Sequence, residues 1–239
     1  MEQSIRKTAM PGLSSRALKN IAVCAMLFDH FIAVFWMGGD LAGLLLRIPG
    51  RIVAPIMCYM IAEGFCHTSN IKKYLTRLFV FALISHFPYV LYFELNWWHA
   101  ISVIWSLFLG LLSLTIAKNA RLPQIVKVLG IFFCCLLAVP ADWNYVAVLW
   151  ILCFGLFHGQ RVKQFISFAV IEIVVHFLPN YLESGSTAFV QLGVFLAIPL
   201  LCCYNGKRGA GGRAAKWGFY IFYPAHLLVL WILKLALGV

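Results

Sequence analysis

Apolar stretches of about twenty residues alternate with short polar breaks along the whole chain. A helix that crosses a bilayer needs roughly 17–25 apolar residues, and the pattern offers nine such candidates. They are Ala17–Trp36, Leu44–Cys66, Tyr74–Phe93, Trp98–Ala117, Pro123–Val139, Trp143–Phe157, Val162–Pro179, Thr187–Tyr204 and Ala215–Leu237. The fifth to seventh are short for the task. Lipid offers no partner to an unpaired backbone amide, so an open chain crosses it as helices. The pattern predicts an all-α, polytopic membrane bundle of about nine helices, a single domain over residues 1–239.

Composition agrees with that reading. The chain is 63% hydrophobic and 11% charged, against about 45–50% and 25% in soluble domains. Its 19 Lys+Arg against 8 Asp+Glu could suggest a nucleic-acid partner, until their positions are read. Arg6, Lys7, Arg16 and Lys19 precede the first span, and Lys72, Lys73 and Arg77 follow the second. Lys118, Arg121 and Lys127 flank the fourth loop, Arg161 and Lys163 the sixth, and Lys207, Arg208, Arg213 and Lys216 the eighth. Asp40, Glu94, Asp142 and Glu183 fall in the opposite loops, with Trp36, Trp97, Trp98 and Trp143 at that interface. The positive-inside bias then puts the N-terminus in the cytoplasm and the C-terminus outside, and no nucleic acid is needed. The basic N-terminus followed by an apolar run lacks an A-x-A-like cleavage site and is read as a retained span. The eight cysteines form no CxxC pair and read as small apolar packing residues.

Against this background the intramembrane polar groups stand out. A charge at the bilayer centre costs about 2.5–3.5 kcal/mol on insertion scales, yet LFDHF places Asp29 beside His30 near mid-depth. His86 and His226 reach a similar depth in the third and ninth spans. Arg47 and Arg51 lie four apart in the second span, where Arg51 is deep enough to pair with Asp29 and Arg47 is placed to snorkel outward. Glu63 lies near the cytoplasmic end of that span, and Glu172 with His176 makes an i,i+4 pair in the seventh. A lone intramembrane histidine is ordinarily a satisfied packing group, which is the simpler role for His86 and His176. The histidines show no HExxH or comparable spacing, so no metal is expected. In the eighth loop, YNGKRGAGGR combines glycines with Lys207, Arg208 and Arg213. It suits a diphosphate, and it also suits an ordinary positive-inside loop.

Taken in order, MLFDH, LRIPGRIVAPI, EGFCHTSNIKKYLTRL, ALISHFPY, YNGKRG and FYIFYPAHLLVL resemble the TraX family, named for the acetyltransferase of conjugative F-pilin. A fainter likeness, in AEGFCHT, KKYLTRL and YPAHL, is to the acyltransferase-three family. The resemblance implies transfer of an acetyl group from cytoplasmic acetyl-CoA to an amine or hydroxyl at or across a bacterial inner (plasma) membrane. It implies His30 as catalyst, Asp29 as the group that orients it, and Arg51 and His226 beside them. Arg77, Asn205, Gly206, Lys207, Arg208 and Tyr223 fall on motif positions that would hold the acyl-CoA, and Arg47 and Glu63 on further ones. The partners implied are acyl-CoA, membrane lipid and an acceptor that is a pilin-like peptide amine, a glycan or a lipid. Two other readings fit the polar groups: a proton-coupled transporter using an Asp–His–Arg relay, and a non-catalytic assembly factor. Oligomeric state is not legible, GLFHG being a lone small-xxx-small pattern.

Overall fold

The computed structural model describes residues 12–36, 41–97, 100–210 and 213–238, with the backbone alone described over 213–216. Arg6, Lys7, Asp40 and Trp98 lie outside the described residues, as do the side chains of Arg213 and Lys216. Among the described residues there is no strand, only two isolated bridges, Leu13 with Tyr204 and Ile101 with Ala141. The chain forms helices α1 (Ser15–Phe35), α2 (Leu41–Leu46), α3 (Val53–His67), α4 (Ile71–Phe93), α5 (Val103–Lys118) and α6 (Gln124–Ala138). These are followed by α7 (Asn144–Leu156), α8 (Arg161–Val170), α9 (Leu178–Ser184), α10 (Ala197–Cys202) and α11 (Arg213–Leu237). A π-helical turn, Ile171–Phe177, joins α8 to α9.

Among the described residues five segments are long and apolar enough to cross a membrane: Ser15–Phe35, Leu41–His67, Ile71–Phe93, Arg161–Cys202 and Trp217–Leu237. α5, α6 and α7 are apolar but only 13–16 residues long, a rise of about 20–24 Å against a hydrocarbon core of about 30 Å. The 42-residue segment Arg161–Cys202 folds back on itself. Gly185 sits at φ +61° just after α9, and the 3-10 stretch Gly185–Leu196 packs against α9 and the π-helical turn.

The expected second span, Leu44–Cys66, is not one continuous helix. Pro49 has no amide N–H to donate, and the backbone tightens into a 3-10 stretch, Ile48–Ile52, between α2 and α3. That stretch packs along the second 3-10 stretch, Gly185–Leu196. The approach is close enough that a Cβ on Gly193 would lie 2.8 Å from the Ile48 carbonyl oxygen. Ser14 caps α1 by accepting the Ala17 amide at 3.2 Å, and Asn70 caps α4 through Lys73 at 2.9 Å.

α3, α5 and α7 form the centre, with α1 and α4 packed around it and α11 against both. Trp150 and Phe154 of α7 are fully buried there, and both rings pack against the buried Phe168 of α8. The outer face of α6 exposes Ile125, Leu129, Phe132, Phe133 and Leu136. So continuous an apolar face belongs in lipid rather than water.

Candidate functional site

The 3-10 stretch decides what the polar residues can reach. By bending the chain after α2, it turns both Arg47 and Arg51 toward α1. Arg47 Nε donates to Asp29 Oδ1 at 3.1 Å, and Arg51 donates through Nη2 to the same oxygen at 3.3 Å. The sequence points to the Arg51–Asp29 pair; Arg47 joins it instead of snorkelling outward. Gly50 is required here, because a Cβ at that position would lie 2.4 Å from Asp29 Cβ. Gln191, from the second 3-10 stretch, accepts from Arg51 Nη1 at 3.4 Å. Arg51 also lies over the Trp143 ring, 5.8 Å from its centroid, and its Nε is buried without a partner.

Asp29 and His30 point apart, as neighbours on a helix must. His30 turns to α11, where its Nδ1 lies 2.7 Å from His226 Nε2 with the two rings parallel. The tautomers follow from the third member of the chain. His226 Nδ1 lies 2.9 Å from the Phe222 carbonyl oxygen, which can only accept, so His226 carries its proton on Nδ1. Its Nε2 is then an acceptor, and His30 donates to it from Nδ1. The Nε2 of His30 is left with a lone pair and, among the described residues, no partner. Tyr92 holds this part of α1 by donating to the His30 carbonyl at 2.5 Å.

His30, Asp29, Arg47 and Arg51 line one end of a cavity of about 620 Å3, within the usual ~300–1,000 Å3 of ligand sites. Its walls pass Met26, Met57 and Met60, then reach Arg16, Lys19, Arg77 and, from the loop before α11, Gly206, Arg208, Gly209 and Ala210 at the other end. The loop is fixed to the start of α1: Ser15 N donates to Lys207 O at 2.8 Å and Arg16 N to Arg208 O at 3.2 Å. Arg16 Nη1 donates to the Ala210 carbonyl. Lys19 lies 5.7 Å from the centroid of the Phe219 ring. Arg77 lies over the Tyr74 and Tyr220 rings, its Nε buried and unpartnered.

The remaining residues singled out in the sequence divide by position. Gly206 and Tyr223 line the cavity. Asn205 and Lys207 do not. Asn205 donates to Gly12 O at 2.8 Å and accepts the Lys207 amide at 2.9 Å, shaping the loop rather than facing a ligand. Glu63 lines the cavity near its basic end and accepts from His158 Nε2 at 2.9 Å and Tyr204 Oη at 3.4 Å. His86 stays apart from the other two mid-depth histidines and packs against Trp97. Glu172 and His176 make their pair at 3.1 Å, outside the cavity, with the His176 ring against Trp143. The described residues hold no group of three or more His, Cys, Asp or Glu placed for a metal. The sequence pattern does not assign Asp142, Trp143, Gln191 or His158 to the site, and it marks Arg16 and Lys19 as topology signals only.

The comparisons with known proteins bear on the whole arrangement. No solved structure matches the chain. A protein of Dichelobacter nodosus described as "Probable fimbrial assembly protein FimC, serogroup H1" is 31% identical over 240 aligned positions, covering 94% of this chain and 97% of that protein. The family model described as "TraX protein" matches residues 14–234, a span that includes every cavity-lining residue named above, and the chain belongs to the TraX family.

Proposed function

We propose that the chain is an acyltransferase of the bacterial inner membrane that moves an acetyl group from cytoplasmic acetyl-CoA to a pilin-like acceptor. It crosses the bilayer nine times, with its N-terminus in the cytosol and its C-terminus outside. The observation that carries this reading is a single cavity joining a wall of cations to an imidazole with a free lone pair. Arg16, Lys19 and Arg208 suit the phosphates of the nucleotide, and the positive-inside rule assigns their end to the cytosol. Lys19 and His30 are eleven residues apart on α1, a rise of about 16 Å, which an extended pantetheine arm covers. The methionine-lined middle offers that arm an apolar wall.

At the far end the thioester carbonyl comes within reach of His30. An acceptor nitrogen attacks the carbonyl carbon and loses a proton to His30 Nε2. The imidazolium shares its charge through Nδ1–H with His226, whose own orientation the Phe222 carbonyl fixes. Arg51 Nε, free to donate, suits the oxyanion. As the intermediate collapses, the carbon–sulfur bond breaks and His30 returns its proton to the departing thiolate. Asp29 holds the two guanidiniums in place and does not touch His30, which differs from the role the family resemblance implies. The acceptor class is proposed from the family and from the name of the Dichelobacter protein.

The test uses purified protein in detergent with acetyl-labelled acetyl-CoA and a synthetic peptide bearing a pilin amino terminus. The wild type transfers label and is stabilised by acetyl-CoA in proportion to ln(1 + [L]/Kd). His30→Ala keeps the stabilisation and loses transfer by roughly 10²–10⁴-fold. Absence of stabilisation, or undiminished transfer by His30→Ala, overturns the proposal. Uptake of solute into proteoliposomes without CoA would favour a transporter in its place.

A further inference from the structure

Two carboxylates line the cavity near the His30 end, and they are used differently. Asp29 is committed to both arginines. Asp142, in the turn between α6 and α7, also lines the cavity. Its carboxylate meets the backbone amide of Trp143, yet among the described residues it has no cation within 4.0 Å. Arg51 acts on it only through space. A carboxylate turned toward a cavity without a counter-ion costs free energy unless something in that cavity compensates it.

The turn that presents Asp142 is strained and firmly held. Trp143 at φ +60° and Asn144 at φ +28° are both non-glycine residues on the left-handed side of conformational space, which costs of order 1–3 kcal/mol each. Surrounding bonds enforce the shape. Asp142 N donates to Ile101 O at 2.9 Å, Ser106 Oγ donates to Asp142 O at 3.0 Å, and Asn144 N donates to Ala141 O at 2.8 Å. The Trp143 ring is wedged between Trp150 and His176, so the otherwise unused Glu172–His176 pair helps keep the turn in place. A relaxed turn would serve a mere connection between two helices. This one fixes a carboxylate at the wall.

We propose that Asp142 is the residue that receives and positions the ammonium group of the acceptor in this cavity. The acylation of that amine rests on the acyl-transfer reading; its binding does not. Burial raises the Asp142 carboxyl above the ordinary carboxylate range, and a bound ammonium offsets that penalty where a neutral hydroxyl has no charge to offer. The bound ammonium releases one proton to water to expose its lone pair and a second to His30 Nε2 as it attacks. His30 then protonates the thiolate, so one amide, one thiol and one free proton result.

Equilibrium binding tests this on the whole protein in detergent, without CoA, using tetra-alanine amide with a free amino terminus and the same peptide N-acetylated. The wild type should bind the free amine at least tenfold more tightly. Asp142→Asn should bring the two affinities together, and Asp142→Glu should restore most of the difference. Cooperative thermal unfolding of each variant without ligand checks that it is folded. No preference in the wild type, or an undiminished preference in Asp142→Asn, overturns the proposal and leaves Asp142 as a distant counter-ion of Arg51. If Asp142→Asn does not fold, the wild-type and Asp142→Glu preferences decide. A preference without any acetyl transfer would sink the enzymatic reading and keep the ammonium site, whereas transfer without a preference would sink this inference alone.

Discussion

At the His30 end of the cavity, two guanidiniums from one 3-10 stretch converge on a single carboxylate of α1. At the Arg208 end, Arg16, Lys19, Arg77 and Arg208 line the wall, and none has a carboxylate within 4.0 Å among the described residues. The first end has ion pairs because its cations lie deep between helices, where an uncompensated charge is costly. The second keeps its cations free of carboxylates, and a free cation is what an incoming anion requires. Charge is therefore paired within the protein at one end and left available at the other, as the proposed function requires. Mutations at the two ends should separate stability from affinity.

The largest stability loss is expected from Asp29→Asn. It leaves Arg47 and Arg51 facing each other without their shared counter-ion, and breaking a buried pair from one side costs about 3–5 kcal/mol. Asp29 is 13% exposed and Arg47 35%, so the lower figure applies. Thermal unfolding in detergent should show it as a clear fall in Tm, with transfer lost as well. Gly50→Ala should behave alike, since its Cβ would displace Asp29 from the arginines. A variant with normal Tm would mean that the ion pair is not holding α1 to the 3-10 stretch.

Next in size is an effect on rate without one on stability. His226→Gln removes the group that sets the His30 tautomer. Loss of the partner that orients a metal-bound imidazole costs about 10–100-fold, and a similar fall in kcat is expected here, with KM for acetyl-CoA unchanged. A fall in acetyl-CoA affinity instead would show that the histidine pair shapes the cavity rather than tuning the base.

How far the sequence anticipates these two ends differs as well. Depth can be counted, so Asp29, His30 and His226 fall at one level when measured from the flanking lysines. The all-helical bundle is legible for the same reason. Pro49 and Gly50 signal the break at Ile48–Ile52, yet periodicity alone runs the span straight through. His86 groups with the other mid-depth histidines because depth is readable and rotation about the helix axis is not. His158 and Gln191 meet Glu63 and Arg51 across 95 and 140 residues, a pairing that no local pattern encodes. Asp142 reads as an outer-loop charge, since hydropathy does not reveal that a turn faces inward. Arg16 and Lys19 are hidden by their own topology signal, which any basic residue at the cytosolic edge would produce.

At the Arg208 end the effect should be on affinity. On the acyl-transfer reading, Arg208→Ala would remove one charged contact to the nucleotide, and a charge-assisted hydrogen bond is worth about 1.5–3 kcal/mol. Solvent screens it, so about tenfold in KM for acetyl-CoA is expected, shrinking as salt is raised. Stability without ligand should stay within about 0.5 kcal/mol of wild type, the usual range for exposed substitutions. A large destabilisation would erase the contrast between the ends.

The smallest effect sharpens the boundary between them. Glu63 lines the cavity just inside the basic wall and is the one carboxylate of that region among the described residues, already engaged by His158 and Tyr204. With Glu63 occupied in this way, its charge is kept from pairing with the cations that the proposed function assigns to the nucleotide. His158 is 37% exposed at its side chain, so the pair contributes no more than about 1 kcal/mol, and His158→Ala should lower Tm only slightly. It should also free Glu63 to swing toward the cations. A rise of about twofold in KM for acetyl-CoA, reversed in the double variant with Glu63→Gln, would show that a histidine on a distant loop keeps the recognition end open. An additive double variant would show that Glu63 does not reach those cations at all.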